Sequence, residues 1–355
     1  MQVGARIGPY VCERELGRGG MGAVWLARHV ELGRPVALKL VLLEQGADVE
    51  LLQRRFEVEA QAIAQLDHPG IVRIFAAGVA ERVPWMALEL VEGGSLQARL
   101  EEQGPLPPRE AARVVAELAE AMDFVHSRGV LHRDLKPANV LVDASGRVRI
   151  TDFGVALIEE ASRGRLTATG ESLGTPSYMA PEQADSAKQA DARADVYALG
   201  AILYALLSGR PPFRGANPVN VLFAVFNEAP PPLPSEVPPG LARICTWCLE
   251  KEPSARPASA AELAQALEGW LEQGDSGARR GTWLPALLAL AGLGLGGAAL
   301  HATRGPGPDA QSPTPTPSPS EALDPVAALL RELSSLDRES PRAGAAARRG
   351  LTAAR

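Results

Sequence analysis

Lysine and cysteine are both scarce in this sequence of 355 residues. Three cysteines are too few for a disulfide framework, and such sparse use fits a reducing compartment. Cys245 and Cys248 form a C-x-x-C pattern, which zinc and redox sites also use. No second Cys or His pair lies near them, so we expect both to pack inside a helix. Because lysine is rare, each of its positions is informative: Lys39, Lys136, Lys188 and Lys251.

The chain also lacks a basic charge excess and an apolar run close to its N-terminus. Its formal net charge is -6, so no global positive field attracts nucleic acid, and we expect no nucleic-acid partner. Since no segment near Met1 resembles a secretory signal, we expect the N-terminal part to stay in the cytoplasm.

The C-terminal part of the chain has a different composition from the rest. Residues 281–300 read GTWLPALLALAGLGLGGAAL, which is 20 residues without a charge. At ~1.5 Å per residue, a helix of this length crosses a hydrocarbon core of ~30 Å. We therefore expect a transmembrane helix at 282–300, rather than a buried helix of a soluble domain, after a juxtamembrane linker at 273–281. Gly292 and Gly296 form G-x-x-x-G, a candidate helix-pairing face.

A proline-rich spacer at residues 301–325 and a short tail at 326–355 follow the apolar run. Arg279 and Arg280 precede the run and Arg304 follows it, which favours a cytoplasmic N-terminal side. Apolar residues recur at helical spacing in the tail, so we expect one amphipathic helix there. These residues are Val326, Leu329, Leu330, Leu333 and Leu336.

The rest of the chain mixes strand and helix patterns. Up to about residue 90, strand-like runs such as GAVWLARHV and PVALKLVLL alternate with turns, and residues 50–66 have a helical pattern. From Leu106 onwards helices dominate, because apolar residues recur at i, i+3 and i+4. The sequence predicts an α+β fold in which a small sheet-rich lobe precedes a larger helical lobe.

Three glycines in the first predicted hairpin indicate a phosphate-binding loop. Gly17, Gly19 and Gly22 form G-x-G-x-x-G-x-V, which ends at Val24. Glycine lets the backbone approach phosphates without a Cβ clash. The same spacing marks dinucleotide-binding folds, in which a helix follows the glycines. Here strand residues follow the glycines. This favours a glycine-rich flap that covers a nucleotide, rather than a dinucleotide-binding fold.

Lys39 lies in the predicted strand PVALKL, between two apolar neighbours and 17 residues after the last of these glycines. A lysine in such a strand can hold the α- and β-phosphates of a nucleotide if a carboxylate fixes its position. Glu59, on the following predicted helix, is the best candidate for this carboxylate. Glu57 is the alternative, which would instead face solvent.

The segment VLHRDLKPANVLV has the most specific chemistry. Asp134 can accept a proton from a substrate hydroxyl, Lys136 can neutralise a transferring phosphoryl group, and Asn139 can ligate magnesium. Asp152 follows 18 residues after Asp134, in ITDFGVA, and oxygen ligands of this kind suit Mg²⁺. We expect His132 to have a structural role rather than to carry protons.

These motifs occur in the order found in the eukaryotic-like serine/threonine protein kinases. Residues 10–271 resemble this family, most closely its membrane-bound bacterial branch. The resemblance implies a bilobal kinase domain at 10–272, with an N-lobe at about 10–90, a C-lobe at about 91–272 and a leader at 1–9. It also implies transfer of the γ-phosphoryl group of ATP to protein Ser/Thr hydroxyls, with Mg²⁺, or Mn²⁺ in its place.

The resemblance assigns roles to individual residues. Asp134 would be the catalytic base, assisted by Lys136 and Thr175, while Asn139 and Asp152 would hold the metal. The nucleotide would be bound by Leu16, Gly17, Arg18, Gly19, Gly20, Met21, Gly22, Ala23, Val24, Ala37, Lys39, Glu59, Glu89 and Leu141.

Other residues would support this site or set its specificity. Glu182, in APE, would form a buried ion pair with Arg256, and Asp195 would steady the catalytic loop. Lys136, together with a Thr175 that bonds both Asp134 and Lys136, favours serine/threonine over tyrosine specificity.

Two threonines, Thr167 and Thr169, match the paired threonines that related bacterial kinases phosphorylate. Arg133, beside the base, would receive the phosphate. The alternative is that both are solvated threonines of a polar loop.

Two rival interpretations stay open: a catalytically silent kinase-fold scaffold, and a soluble kinase whose apolar run is a docking helix. The first usually lacks Lys39, Asp134 or Asp152, and all three are present. The favoured interpretation is a single-pass protein of the cytoplasmic (inner) membrane with its kinase domain in the cytoplasm. Its expected partners are the membrane, protein substrates, and a second copy bound through the kinase domain or the G-x-x-x-G face.

Overall fold

A sheet comes first along the chain and a set of helices follows it. The structure, a computed structural model, describes residues 2–19, 22–41, 63–80, 83–153, 176–185 and 190–273. The chain divides into two units, Met1–Arg280 and Gly281–Arg355, and all the described residues belong to the first unit.

The N-terminal part forms a six-stranded antiparallel sheet. Its strands are β1 (Arg6–Ile7), β2 (Tyr10–Gly19), β3 (Gly22–His29), β4 (Pro35–Val41), β5 (Ile74–Ala80) and β6 (Val83–Leu88). They lie in the order β1-β2-β3-β4-β6-β5. Successive residues of a strand point to opposite faces, and β4 shows this clearly. Val36, Leu38 and Leu40 join a core cluster with Trp25 and Trp85 on one face of the sheet.

The opposite face of β4 turns toward the second lobe. Ala37 and Val41 belong to a separate small cluster with Met86 and Leu88 on this face. Lys39 lies between Ala37 and Val41 in the alternation, so it shares their face of the sheet. The strand pattern thus separates the apolar core of the first lobe from the surface that can meet a ligand.

The helices form the second lobe, which contains the largest core cluster among the described residues. They are α1 (Leu96–Gln103), α2 (Pro108–His126), α3 (Pro181–Asp185), α4 (Ala192–Ser208), α5 (Pro218–Asn227), α6 (Pro239–Cys248) and α7 (Ala260–Glu272). Side-chain oxygens of Ser95, Asp191, Asn217 and Ser259 accept backbone N–H bonds at the starts of α1, α4, α5 and α7. Helix α4 is buried from Ala194 to Leu207, which makes it the centre of the lobe.

A small two-stranded sheet follows α2. Its strands, β7 (Val140–Val142) and β8 (Val148–Ile150), pair antiparallel. Isolated bridges join Ile71 to Ile150 and Ser95 to Leu141. This small sheet is therefore attached both to the segment before β5 and to the segment that connects the lobes.

Glycine is required by close backbone contacts at two positions, one in the β2–β3 hairpin and one in the connection between the lobes. A Cβ on Gly22, at φ 153°, would lie 1.9 Å from the Leu40 carbonyl oxygen. A Cβ on Gly93, at φ 157°, would lie 2.1 Å from the Val142 carbonyl oxygen. No side chain fits at either distance, so the β2–β3 hairpin and the connection between the lobes both depend on glycine.

The predicted α+β arrangement of a sheet lobe followed by a helical lobe is confirmed. Cys245 and Cys248 are fully buried, unpaired thiols on α6, in agreement with the packing interpretation. Most of the helix predicted at residues 50–66 lies outside the described residues, as do the predicted transmembrane helix, spacer and tail. Within the described ranges, no helix combines the length and apolar character needed to cross a membrane.

Candidate active site

The glycine-rich hairpin and Lys39 share one face of the first sheet. The register pairs Gly17 with Val24 across β2 and β3, and it pairs Val24 with Lys39 across β3 and β4. Residues directly opposite each other in an antiparallel sheet project from the same face. The Arg18 guanidinium pairs with the exposed Glu15 carboxylate, so it is held by its own strand.

Apolar residues from both lobes meet below this face. Ala37 from β4 and Leu141 from β7 pack against the same small cluster, together with Val91 from the connection between the lobes. The resemblance assigned both Ala37 and Leu141 to the nucleotide site, although the two residues are 104 positions apart in the chain. The structure places both of them against the same small apolar cluster, and Leu16 on β2 is 38% exposed.

Lys39 and Asp152 form an ion pair between the two lobes. The distance between Lys39 Nζ and Asp152 Oδ1 is 2.7 Å, and Lys39 is only 7% exposed. Asp152 has a positive φ of 67°, which is uncommon for a residue with a side chain and is typical of strained functional positions. The expected partner Glu59 lies outside the described residues, so its pairing with Lys39 stays a prediction.

Asp134 is held by two neighbours of the same loop. Lys136 Nζ lies 3.0 and 2.8 Å from its two carboxylate oxygens. Asn139 Nδ2 donates to the Asp134 carbonyl at 2.8 Å and to its carboxylate at 3.0 Å. Because both Asn139 bonds use the amide nitrogen, the amide oxygen remains available as a ligand. The Thr151 N–H also donates to the Asn139 carbonyl at 2.9 Å, which places Asn139 beside the end of β8, close to Asp152.

The loop that carries Asp134 is fixed by a buried carboxylate on α4. Asp195 is 1% exposed, and it accepts the backbone N–H groups of His132 and Arg133 at 2.9 Å each. It also lies 2.9 Å from His126 Nε2. Burial raises the pKa of Asp195, but the hydrogen bond from His126 and the nearby histidines outweigh this, and the pKa lies below its ordinary value.

His132 is structural, as expected from the sequence. Its Nδ1 accepts the Asp134 N–H at 3.3 Å, so its Nε2 carries the hydrogen and donates to the Thr151 carbonyl at 3.0 Å. Both ring nitrogens are therefore engaged. The ring also packs against Phe153, with 4.6 Å between the ring centroids.

The ion pair expected between Glu182 and Arg256 is present. Two guanidinium nitrogens of Arg256 donate to the two Glu182 oxygens at 2.6 and 2.8 Å. The Arg256 side chain is fully buried, and it also donates to three backbone carbonyls. These carbonyls belong to Glu250, Arg193 and Lys251. The pair thus fastens the segment after Thr175 to the helical lobe.

Two contacts of the site were missed by sequence reasoning. Glu89, predicted at the nucleotide, carries a carboxylate that accepts from Arg149 Nη1 at 2.9 Å, while its own N–H donates to the Arg73 carbonyl at 2.8 Å. His126 is the second missed residue. In the structure it is the last residue of α2, the helix that precedes the catalytic loop.

Six of the predicted site residues lie outside the described residues, and their roles stay predictions: Gly20, Met21, Glu59, Thr167, Thr169 and Thr175. Of the others, Glu182, Asp195 and Arg256 lie in the helical lobe, and the rest belong to the first sheet, to the connection after β6 or to the segments around Asp134 and Asp152. In the described part of the chain, no three His, Cys, Asp or Glu side chains are grouped closely enough to hold a metal ion. A metal here would therefore need ligands such as Asn139 and Asp152 together with oxygens that a substrate brings.

The protein has a sheet lobe and a helical lobe. A glycine hairpin, a buried lysine–aspartate pair and an aspartate-bearing loop lie at the cleft between them. This combination defines a two-lobed phosphotransferase architecture. Residues 10–268 match the protein kinase domain. The chain therefore belongs to the protein kinase family, and the family predicted from the motifs is confirmed.

Several bacterial proteins named as serine/threonine-protein kinases are similar to this chain over the same region. A probable serine/threonine-protein kinase of Corynebacterium efficiens, CE0033, is 38% identical over 271 residues, which cover 73% of this chain and 41% of the relative. The kinase pkn2 of Myxococcus xanthus is 41% identical over 263 residues, which cover 72% of this chain and 31% of the relative. PknB of Mycobacterium tuberculosis is 39% identical over 256 residues, which cover 70% of this chain and 40% of the relative. The matched region spans less than half the length of each of these relatives.

The Glu182–Arg256 pair makes a specific stability prediction. Replacing Arg256 with Ala leaves a largely buried carboxylate and three carbonyls without their donor, so we expect the free energy of unfolding to fall by about 3–5 kcal/mol. Urea denaturation measures this loss. Arg147→Ala, which removes an exposed guanidinium from a surface pair with Asp143, is the control and should cost less than about 1 kcal/mol. Equal losses for the two variants would contradict a special role for the buried pair.

Proposed function

We propose that the chain is a serine/threonine protein kinase that transfers the γ-phosphoryl group of ATP to protein hydroxyls. The observation that carries this proposal is the arrangement of Asp134, Lys136 and Asn139 in one hydrogen-bonded group next to the Lys39–Asp152 pair. The relatives' names point to the same activity. Family membership alone does not establish it, because a kinase fold can also serve as a silent scaffold.

The residues around the cleft fit a nucleotide. A Cβ on Gly17 or Gly19 would contact nothing within 4 Å, so the protein's own packing does not require glycine there. An approaching phosphate does require it, since the backbone N–H groups must come close. The surface to which Ala37 and Leu141 contribute is apolar and suits a flat base.

The metal-binding atoms also fit. The free Asn139 amide oxygen and the Asp152 carboxylate are hard oxygen ligands, which Mg²⁺ prefers, and Mn²⁺ is the alternative. When bound, ATP would supply the phosphoryl group, and the metal ion would offset part of the negative charge on its oxygens. Lys39 would hold phosphate oxygens, and Asp152 would exchange its contact with Lys39 for the metal.

Asp134 would orient the substrate hydroxyl and take its proton. Its carboxylate is 35% exposed, so a substrate can reach it from the cleft. Lys136 keeps this carboxylate in place and adds positive charge where the phosphoryl group passes. Such a lysine two residues after the base supports serine/threonine specificity, and Thr175 would complete the contact.

The catalytic assignment predicts the effect of Asp134→Asn. Asparagine keeps the shape of the side chain but cannot accept the proton, so we expect kcat for phosphate transfer to a protein substrate to fall ~10²–10⁴-fold. The measurement is transfer of labelled phosphate from ATP. Asp67→Asn, at a carboxylate that is 80% exposed, is the control and should retain activity. An unchanged rate for Asp134→Asn, or no transfer by the wild type, would favour the silent scaffold.

We further propose that phosphorylation of Thr167 and Thr169 by the kinase itself raises its activity. A phosphothreonine adds about -1.5 to -2 charge and strong acceptors. Arg133 can receive it, because its Nε is buried and makes no hydrogen bond within the described ranges. The guanidinium therefore has a donor to offer, on the residue that precedes the base in the chain.

For this regulation, the informative variant is Thr167→Ala combined with Thr169→Ala. One hydrogen bond to a charged group is worth ~1.5–3 kcal/mol, so we expect activity to fall at least about tenfold. Thr246→Ala, at an exposed threonine of α6, controls for loss of a hydroxyl elsewhere. Mass spectrometry of the wild type should find phosphate on the pair. Equal activity of the double variant and the wild type would rule the switch out.

We also propose that residues 282–300 anchor the chain in the cytoplasmic membrane as a single-pass helix, with residues 1–280 in the cytoplasm where ATP is available. The support comes from the uncharged 20-residue run and the arginines before it. Gly292 and Gly296 would offer a pairing face to a second copy. The alternative is a soluble kinase in which the run docks onto a partner.

Cell fractionation separates these two alternatives. We expect the full chain to stay in the membrane pellet after an alkaline carbonate wash, which strips peripheral proteins but leaves spanning helices. Deletion of 282–300 should move the protein to the soluble fraction, while deletion of the spacer at 301–325 should not. Release of the full chain by carbonate would instead identify a docking helix.

A further inference from the structure

Gln183 connects the start of α3 to the catalytic loop. Its Nε2 donates to the Arg133 carbonyl at 3.0 Å, and its Oε1 accepts the Ala180 N–H at 3.2 Å. The two partners fix the amide orientation, since a carbonyl can only accept and an N–H can only donate. Gln183 therefore uses both ends of its amide at once.

The bond to Ala180 has a local purpose. Ala180 precedes α3, and a glutamine three residues later that reaches back to its N–H is one half of a capping box. Any side chain with an acceptor at this position, including glutamate, can make this bond. Helix capping thus requires only the oxygen of Gln183.

The bond to Arg133 has no such local explanation. Gln183 lies 50 positions away from Arg133 in the chain. Arg133 has φ 65°, and its N–H is already fixed by Asp195 at 2.9 Å. Its carbonyl belongs to the peptide that joins it to Asp134. Holding both ends of Arg133 sets the orientation of that peptide, and hence the direction in which the Asp134 side chain leaves the backbone.

We propose that Gln183 is a positioning residue for Asp134, acting through the Arg133 carbonyl. This rests on the proposed function, in which Asp134 is the base. Glu182, the preceding residue, is anchored by the buried Arg256, so Gln183 projects from a fixed point. The amide nitrogen carries the positioning role and the amide oxygen carries the capping role.

This division of roles can be tested by two substitutions. Gln183→Glu keeps an acceptor for Ala180 but places a carboxylate against the Arg133 carbonyl, so only the positioning bond is lost. Gln183→Met has a similar shape and loses both bonds. We expect both variants to lower kcat about tenfold with KM for ATP unchanged, because the nucleotide site is intact. Only Gln183→Met should also lower the melting temperature.

Gln103→Glu is the matched control, since Gln103 is an exposed helix residue that accepts from Arg99 through its oxygen. It introduces the same charge away from the cleft and should leave kcat, KM and the melting temperature unchanged. If Gln183→Glu has wild-type kcat, or if its kcat falls only together with the melting temperature, Gln183 is a helix cap and the inference is wrong.

Backbone hydrogen exchange adds a measurement that does not depend on activity. In Gln183→Glu and Gln183→Met, amides of the segment 132–136 should exchange faster than in the wild type, and in Gln103→Glu they should not. Unchanged exchange in both Gln183 variants would overturn the inference. An absence of Asp134-dependent transfer in the wild type would overturn the proposed function instead, so the two failures are distinguishable.

Discussion

The buried carboxylate of Asp195 is the contact on which the catalytic loop depends. A charge in an apolar interior is costly unless donors surround it, and here two backbone N–H groups and a histidine do so. Asp195 sits in the first turn of α4, the most deeply buried helix described, so it cannot move without disturbing the core. The positive φ of Arg133 is stable because this rigid acceptor holds its N–H.

The same helical core fixes the other side of the cleft through a second buried charge. Arg256 holds Glu182, and the next residue, Gln183, returns to the Arg133 carbonyl. Two anchors from the helical lobe therefore hold the same residue of the loop, one at its N–H and the other at its carbonyl. The strained backbone next to Asp134 is thus determined by tertiary contacts rather than by local sequence preference.

Much of this site could be predicted from the sequence because its chemistry is concentrated in short motifs. Glycine spacing followed by strand residues indicated the hairpin, and the HRDLKPAN segment indicated the base and a metal ligand. The contacts between distant residues could not be predicted in this way. Arg149 and Glu89 are 60 positions apart, and His126 and Asp195 are 69 apart. Periodicity reports which face of a helix or strand is apolar, but it does not report which polar groups tertiary packing brings together.

Glu89 has a mechanical consequence for the cleft. Its N–H is bonded to Arg73 beside the sheet lobe, whereas its carboxylate is bonded to Arg149 on β8. The residues that follow are attached to the second lobe. Gly93 lies against the Val142 carbonyl, and the Gly94 carbonyl accepts the Val142 N–H at 2.9 Å. Ser95 forms a bridge with Leu141. Glu89 is therefore bonded to both lobes, and the residues after it are bonded to the second lobe. If the lobes rotate against each other, the connection after Glu89 would move with the second lobe and keep its position relative to Leu141.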